Sequence, residues 1–180
     1  MIKEETSKKK RLFVAILLTL AMVLYAQFIL GHFSTCFFVE GGPNSLGLLV
    51  GYSVTDVFNF LEIRTEEQLR CYVDFLKIWD TLFPMLYTAM HVSWLMFLFR
   101  KWFYPAFIPF LHMVADWGEN YIEISFVHHY LDMGRLPEAF VSAGSFITIT
   151  KWVLSLLTYV IIIYGIINKL RDYRTTPKPH

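Results

Sequence analysis

The stretch from His112 to Glu123 reads His-Met-Val-Ala-Asp-Trp-Gly-Glu-Asn-Tyr-Ile-Glu, and it places four ionisable side chains inside an otherwise apolar segment. At about 100° per residue, its three acids, Asp116, Glu119 and Glu123, share one narrow helical face with the histidine. Asn120 lies at the edge of that face. A charge at the centre of a bilayer costs roughly 2.5–3.5 kcal/mol, so this face needs partners or a wet cavity. The stretch therefore predicts a polar site within a membrane.

The composition of the whole chain is typical of a membrane protein. Of its 180 residues, 56% are hydrophobic and 18% aromatic, and the mean hydropathy is +0.46. The apolar residues occur in long blocks, and about 20 of them suffice to cross the hydrocarbon core of a bilayer. No basic segment is interleaved with aromatic residues in a soluble domain, which argues against nucleic-acid binding. We expect an all-α integral membrane protein surrounded by the lipid bilayer.

Four segments are predicted as transmembrane helices of one bundle, at about 12–31, 79–99, 106–126 and 139–167. The remaining segments are predicted as two polar tails, 1–11 and 169–180, and an outer segment, 32–78. Pro84 near the start of the second span predicts a kink. The polar stretch 128–137 is predicted as an exposed loop between the third and fourth spans.

The basic residues predict the orientation of this bundle. Eleven of the sixteen Lys and Arg residues lie in the two tails and at the 100–101 turn. Four lie on the opposite side, at Arg64, Arg70, Lys77 and Arg135, and one, Lys151, lies inside the fourth span. The positive-inside rule then places both termini in the cytoplasm of a multi-pass protein of the cell membrane.

The outer segment contains two signals for the start of a helix. Ser53 or Thr55 is suited to cap a short helix that ends at about Glu62. Thr65 and Gln68 have the spacing of a capping box, and we expect the helix that follows to continue into the second span. The segment is therefore predicted to be partly helical.

Two cysteines, Cys36 and Cys71, are both predicted to lie on the outer side. An oxidising compartment there would permit a disulfide between them, and two unpaired thiols are the equal alternative. Neither cysteine has a neighbouring base that would indicate a nucleophile.

The second span carries a polar and aromatic face of its own. Asp80, Tyr87 and His91 lie on this face at helical spacing. With a rise of 1.5 Å per residue, His91 comes to about the depth of His112, and both Asp80 and Glu123 lie near the outer edge. The polar faces of the second and third spans are therefore expected to line one cavity that opens outward.

The fourth span carries a face of small and hydroxylated residues, which includes Thr148 and lets helices approach closely. Lys151 lies on the same face near the middle of the membrane, at the depth of Asp116 and Glu119. Because an unpaired ammonium at this depth is costly, we expect Lys151 to pair with one of the two acids.

Two interpretations of these polar residues compete. In the first, they form a buried network that only fixes helix packing, as in a structural or assembly subunit of a membrane complex. In the second, they line a pocket for a lipid-like small molecule, in which Asp116, Glu119 and His112 transfer a proton. The residues predicted to bind that molecule are Asp80, Tyr87, His91, Asn120, Glu123, Thr148 and Lys151. We adopt the pocket as the working hypothesis; the sequence indicates no cofactor and no particular protein partner.

Two further interpretations concern ions. A metal site would use His91, His112, Asp116 and Glu119, since imidazole and carboxylate suit zinc, iron or manganese. The sequence has neither an HExxH motif nor a paired Glu-x-x-His motif, so we predict no metal. A proton or ion pathway is the other alternative, because intramembrane acids and histidines also serve as relays.

Three strings of residues, taken together, resemble a pattern found in uncharacterised bacterial four-span integral membrane proteins. They are Asp80-x-x-Phe83-Pro84-x-x-Tyr87, Asp116-x-x-Glu119-Asn120 and Thr148-x-x-Lys151-Trp152. The resemblance covers about 51–164 and implies four spans in a bacterial inner membrane, but no activity. In the type of site, the chain is also loosely similar to the sterol isomerase and emopamil-binding proteins, in which membrane carboxylates and a histidine transfer protons, although the spacing differs.

Overall fold

The computed structural model describes residues 2–99 and 104–175, and within these ranges the chain is helical and has no strand. The helices are α1 (Ile2–Leu24), α2 (Val54–Glu62), α3 (Glu66–Phe75), α4 (Thr81–Leu98), α5 (Phe107–Met133) and α6 (Glu138–Thr175). They are joined by π-helical turns at Tyr25–Leu30 and Leu76–Asp80, a helical turn at Gly31–Phe33, and 3₁₀ turns at Ser34–Phe37, Leu46–Leu48 and Tyr104–Ala106. The predicted 100–101 turn and the last five residues lie outside the described ranges.

Three helical runs are long and apolar enough to cross a membrane: Thr6–Phe37, Glu66–Leu98 and Glu138–Arg171. The first of these, Thr6–Phe37, is called the α1 run below. This confirms an all-helical chain of membrane character. Helix α5 is not among the three because its acidic residues lower its hydropathy, although its 27 residues extend over about 40 Å. Two bounds differ most from the predicted spans: α1 already starts at Ile2, and α6 continues to Thr175.

Among the long helices, α4 contacts the other three. Helix α1 packs on α4, α4 also contacts α5 and α6, and α5 and α6 lie against each other over much of their length. Side chains attach the Thr6–Phe37 run to the Glu66–Leu98 run. The Thr19 hydroxyl accepts a hydrogen bond from the Trp94 indole (2.9 Å), and the Tyr25 hydroxyl donates to the Trp79 carbonyl (2.8 Å).

Both predicted helix starts in the outer segment are confirmed by reciprocal caps. The Ser53 hydroxyl accepts from the Asp56 backbone N–H (3.2 Å), and the Asp56 carboxylate accepts from the Ser53 backbone N–H (2.8 Å). Thr65 and Gln68 exchange the equivalent bonds at the start of α3. The cap of α2 is therefore Ser53 and not Thr55.

Helix α3 continues into α4 through the π-helical turn Leu76–Asp80, as the predicted uninterrupted helix requires. Pro84 has no backbone N–H to donate to the carbonyl of Asp80, four residues earlier. The Thr81 hydroxyl donates to the Leu76 carbonyl (2.8 Å) within the same region. The sequence predicted a kink near Pro84. The structure departs from regular α-helix just before this residue, in the π-helical turn Leu76–Asp80.

The loop predicted at 128–137 is shorter than expected, because α5 continues to Met133. The helix ends at Gly134, which has a φ of 62° and donates its N–H to the Tyr130 carbonyl (2.9 Å). Glycine in the left-handed region is a common helix cap, since it has no Cβ to strain. The prediction was wrong for 128–133: the polar residues there belong to the last turns of a helix.

The outer segment folds over one end of the long helices around buried aromatic residues, including Phe37, Phe60 and Tyr72. Arg64 is buried beside them and donates to the carbonyls of Phe37 (3.0 Å), Phe60 (2.6 Å) and Pro43 (2.6 Å). Burial lowers the pKa of Arg64 below its ordinary value. The three carbonyls hold the guanidinium in place and fix the path of the chain around it.

Cys36 and Cys71 form a disulfide, with their Cα atoms 6.3 Å apart. The sequence left this pairing open. The bond joins the end of the α1 run to α3, across a sequence separation of 35 residues.

Candidate functional site

A cavity of about 420 Å³ lies between α1, α4, α5, α6 and the outer segment. Sites for small ligands span about 300–1,000 Å³, so this cavity is of suitable size. Nine of the ten predicted site residues line it: Asp80, Tyr87, His91, His112, Asp116, Glu119, Asn120, Glu123 and Lys151. The fold therefore gathers residues from three helices into one site.

The ion pair between Glu119 and Lys151 forms the middle of the cavity wall. The Lys151 ammonium donates to Glu119 Oε2 and to the Gly47 carbonyl, the latter at 2.9 Å. Both side chains are buried, with Glu119 only 1% exposed. A Cβ atom at position 47 would lie 2.8 Å from Glu119 Oε2, so the close approach of this backbone requires glycine. Of the two partners predicted for Lys151, the structure selects Glu119.

Asp116 has a different partner, the hydroxyl of Tyr87, which donates to Asp116 Oδ2 at 2.9 Å. The Tyr87 ring stacks on His112, with centroids 4.5 Å apart. His91 lies 6.3 Å from His112 between ring centroids and packs edge-on against Tyr159. One end of the cavity is therefore built from two histidines and two tyrosines next to one acid.

At the outer end, Glu123 is fully buried and accepts a hydrogen bond from the Tyr72 hydroxyl. The same hydroxyl lies 3.0 Å from the Ser45 hydroxyl and accepts from the Leu46 backbone N–H (3.4 Å). The outer segment thus participates directly in the polar network. Tyr72 was not predicted as a site residue. The only signal in the sequence was the predicted helix that begins at Thr65 and continues into the second span.

Several polar atoms in the cavity wall have no hydrogen-bond partner among the described residues. They are both ring nitrogens of His91, Nδ1 of His112, Oε1 of Glu119, Oε1 of Glu123 and Nδ2 of Asn120. Each of these side chains is more than nine-tenths buried. Buried polar atoms in proteins are normally hydrogen-bonded, so the residues of this wall have hydrogen-bonding capacity that the described chain does not fully use.

Thr148 was predicted to bind the ligand, but it does not line the cavity. Its side chain is fully buried, and its hydroxyl donates to the Gly144 carbonyl of its own helix (3.2 Å). A Cβ atom at Gly144 would lie 2.8 Å from Ile122 Cγ2 on α5. This part of α6 therefore serves the close contact with α5, which is the role that small residues play between membrane helices.

Sequence reasoning also missed the backbone of the outer segment. Besides the Gly47 carbonyl, the Leu49 carbonyl accepts a hydrogen bond from the Trp152 indole (2.9 Å), and the Tyr52 N–H donates to the Ser145 hydroxyl (2.9 Å). The turn chemistry of residues 40–45 predicted a loop, but no signal in the sequence indicated that the loop reaches the polar core.

The metal interpretation gains no support from the geometry. Within residues 2–99 and 104–175, no three His, Cys, Asp or Glu side chains converge on a point where a metal ion would be held. The chemistry that remains available is hydrogen bonding, charge pairing and proton transfer by acids and histidines.

Comparison of the chain with models of protein families, with curated proteins and with solved structures found no match. The fold and the site therefore define only a class: an all-helical chain of membrane character with a polar cavity among its helices.

Proposed function

We propose that the chain is a multi-pass protein of the cell membrane that binds a small amphiphilic molecule in this cavity and exchanges a proton with it. The observation that carries the proposal is the set of buried polar atoms without protein partners in a cavity of ligand size. A network that served packing alone would be expected to satisfy its own hydrogen bonds.

In this proposal α5 is a fourth transmembrane helix, and both termini lie in the cytoplasm. Helix α5 packs between α4 and α6, and the face opposite its acids is exposed and apolar, with Phe110, Val114, Trp117 and Tyr121. The positive-inside rule supports the orientation. The disulfide also supports it, because disulfides persist on the oxidising side of a membrane.

The topology is tested with one epitope tag at each terminus of the full-length protein in sealed cells. Four spans predict that both tags become accessible only after the membrane is permeabilised. Three spans would place the two tags on opposite sides, and that result would overturn this part of the proposal.

Asp116 is the acid best placed to exchange a proton with the ligand. Glu119 is already paired with the Lys151 ammonium, whereas Asp116 accepts a bond only from a neutral hydroxyl. A change in the charge of Asp116 therefore breaks no ion pair. In the transfer, the O–H bond of the acid breaks as the proton bonds to the ligand, or the reverse, with His112 beside it as a second proton carrier.

Native mass spectrometry of the purified full-length protein tests the binding. The wild type should retain an amphiphile adduct that Asp116→Asn and Lys151→Met lose while keeping their helix content. Asp74→Asn is the matched control, since Asp74 is exposed on the helical run that carries Asp80. No adduct in the wild type, or an adduct kept by every folded variant, would overturn the proposal.

Proton exchange is tested by adding the solvent-extracted adduct back to delipidated protein in two buffers of different ionisation enthalpy. Calorimetry should detect protons taken up or released by the wild type and fewer by Asp116→Asn. Binding without any exchange of protons in the wild type would contradict the proton-transfer part and leave a binding protein.

A second function, as a structural or assembly subunit, is favoured by one observation. Lys151 and Trp152 both donate to backbone carbonyls of the outer segment, so the polar core also ties that segment to α6. In this case the variants above should lose their folded structure rather than an adduct, and the wild type should copurify with a protein partner.

A further inference from the structure

Acids outnumber amines among the side chains that line the cavity. There are four acids and one amine: Asp80, Asp116, Glu119, Glu123 and Lys151. Lys151 forms its ion pair with Glu119. Within the described residues, Asp116 and Glu123 instead accept hydrogen bonds from tyrosine hydroxyls, and Asp80 is in no ion pair. An amine in the cavity would therefore meet three acids that form no ion pair with the described chain.

The polar atoms without partners are richer in acceptors than in donors. The free oxygens of Glu119 and Glu123 accept, and Asn120 Nδ2 donates. His91 is 1% exposed and has both ring nitrogens unpartnered, of which one accepts in the neutral ring. An ammonium group matches this wall, since it carries three donors and no acceptor. A carboxylate or phosphate head group, which only accepts, does not.

The rest of the cavity wall suits the other parts of such a molecule. Tyr87, Trp152 and Tyr159 present aromatic rings, over which cations bind favourably. Met22 and Leu30 of the α1 run line the cavity as well and provide apolar contacts for a hydrocarbon chain. The wall thus combines acidic, aromatic and aliphatic side chains.

We infer that the ligand is a cationic amphiphile: a single hydrocarbon chain with a protonated amine, seated with its amine among Asp80, Asp116 and Glu123. This inference rests on the proposed function, since it names the class of amphiphile that the cavity binds. When a neutral amine meets a protonated carboxyl group, the O–H bond breaks and an N–H bond forms, so that an ammonium–carboxylate pair remains and the total charge is unchanged. A lone charge would be costly in this environment, and the transfer creates none, because the ammonium and the carboxylate form together as a pair.

The test compares three probes with the same chain, dodecylamine, dodecanol and dodecanoate, by titration calorimetry on the full-length protein in zwitterionic nanodiscs, with empty nanodiscs subtracted. Dodecylamine should bind about tenfold more tightly than the other two probes, because a buried charge pair contributes more than a neutral contact. Asp80→Asn should remove most of this preference for the amine over dodecanol. Asp74→Asn, with the same change of charge on an exposed position, should bind as the wild type does.

Each other result has a definite meaning. Saturable binding of the three probes with no preference for the amine would overturn the inference and leave the proposed amphiphile pocket standing. A preference for the amine that persists undiminished in both Asp80→Asn and Asp116→Asn would also overturn it, because the acids would not be its cause. No saturable binding of any probe would overturn the inference and the proposed function together.

Discussion

Helices α1 and α5 are opposite extremes of this molecule. The α1 run has the highest mean hydropathy of the three candidate spans, 2.4, yet only 6% of its most apolar window is buried. Helix α5 fails the same criterion of apolarity, but nine of its residues are buried and five of those are polar: His112, Asp116, Glu119, Asn120 and Glu123. The most apolar candidate span is thus the least buried, whereas the helix with the acidic face buries that face.

For the membrane protein proposed above, the solvent explains this contrast. Lipid tails are as apolar as leucine, so apolar side chains gain little by leaving the lipid for the protein interior. Polar side chains gain much, because inside the protein they find partners that lipid does not offer. In the proposed bilayer, burial follows polarity, and α5 is held by its polar face. Over the described side chains 6–24, helix α1 contributes one fully buried side chain, Ala15, and the run that contains it depends on a few hydrogen bonds and a disulfide.

The largest expected effect is the loss of the ion pair that joins α5 to α6. Lys151→Met leaves the Glu119 carboxylate and the Gly47 carbonyl without their donor. Removing one partner of a buried ion pair costs about 3–5 kcal/mol of the free energy of unfolding. Denaturant titration in detergent, followed by circular dichroism, measures the loss.

The double variant Lys151→Met/Glu119→Gln provides the control for this prediction. Because it removes both charges, it should recover a large part of the lost stability, and the coupling is read from the double-mutant cycle. Lys77→Met, on an exposed position, should change little. A loss below about 1 kcal/mol in Lys151→Met would show that the pair is not what holds α5 in place.

The second prediction concerns the disulfide that secures α1. Replacing Cys36 and Cys71 by serine should cost about 2–4 kcal/mol, because the bond closes a long loop in the unfolded chain. Hydrogen exchange should increase at the outer end of the α1 run and remain low in α5. The wild type, once its disulfide has been reduced, should show the same exchange as the serine variant. An equal increase in exchange in both helices would erase the contrast between them.

The third prediction compares two glycines at the centre of the molecule. Gly144→Ala places a Cβ atom 2.8 Å from Ile122 Cγ2 and 2.9 Å from Phe126 Cζ, whereas the nearest atom at Gly118 is 3.8 Å away. Overpacking of a close contact costs about 1–3 kcal/mol, so Gly144→Ala should lower the melting temperature and Gly118→Ala should not. Equal effects would indicate that α5 and α6 are less closely packed than described.

The smallest expected effect lies in the outer segment, at the cap of α2. The backbone N–H of Ser53, followed by its hydroxyl, lowers the pKa of Asp56. The contribution of the Asp56 carboxylate to the stability of the cap is therefore present at neutral pH and is lost as the pH falls through the lowered pKa. Ser53→Ala should cost about 0.5–1 kcal/mol at neutral pH and less once Asp56 is protonated, because only the bond from the Ser53 hydroxyl to the carboxylate depends on pH. Unfolding measured across pH tests this, with Thr55→Ala as the neutral control.

The features that could be predicted from the sequence are those that local patterns encode. Ser53 and Thr65 mark their helices because the capping groups lie three residues apart. The pairing of Lys151 with an acid on α5 followed from helix depth alone, because the rise per residue is fixed. The same calculation of depth placed His91 and His112 at about the same level.

The rest could not be predicted for physical reasons that differ from residue to residue. The Gly47 carbonyl reaches Lys151 from 104 positions away, and a backbone acceptor leaves no trace in a side-chain pattern. Thr148 shares an arc with Lys151, and helical spacing alone does not distinguish a residue that faces a cavity from one that faces a neighbouring helix. At 128–133 the polarity of the residues suggested a loop, while the actual stop signal was Gly134.

The claim that the polar face lines an accessible cavity, rather than a sealed network, is tested most directly by cysteine labelling. Both native cysteines are joined in the disulfide, so one introduced cysteine is the only free thiol. Three positions on α6 serve: Ser155 lines the cavity, Thr158 is fully buried and Leu156 is exposed on the outer surface. With a small cationic methanethiosulfonate, Ser155→Cys should react about tenfold faster than either control, because only its thiol is accessible to a polar reagent. Equal rates at the three positions would contradict the existence of an accessible cavity.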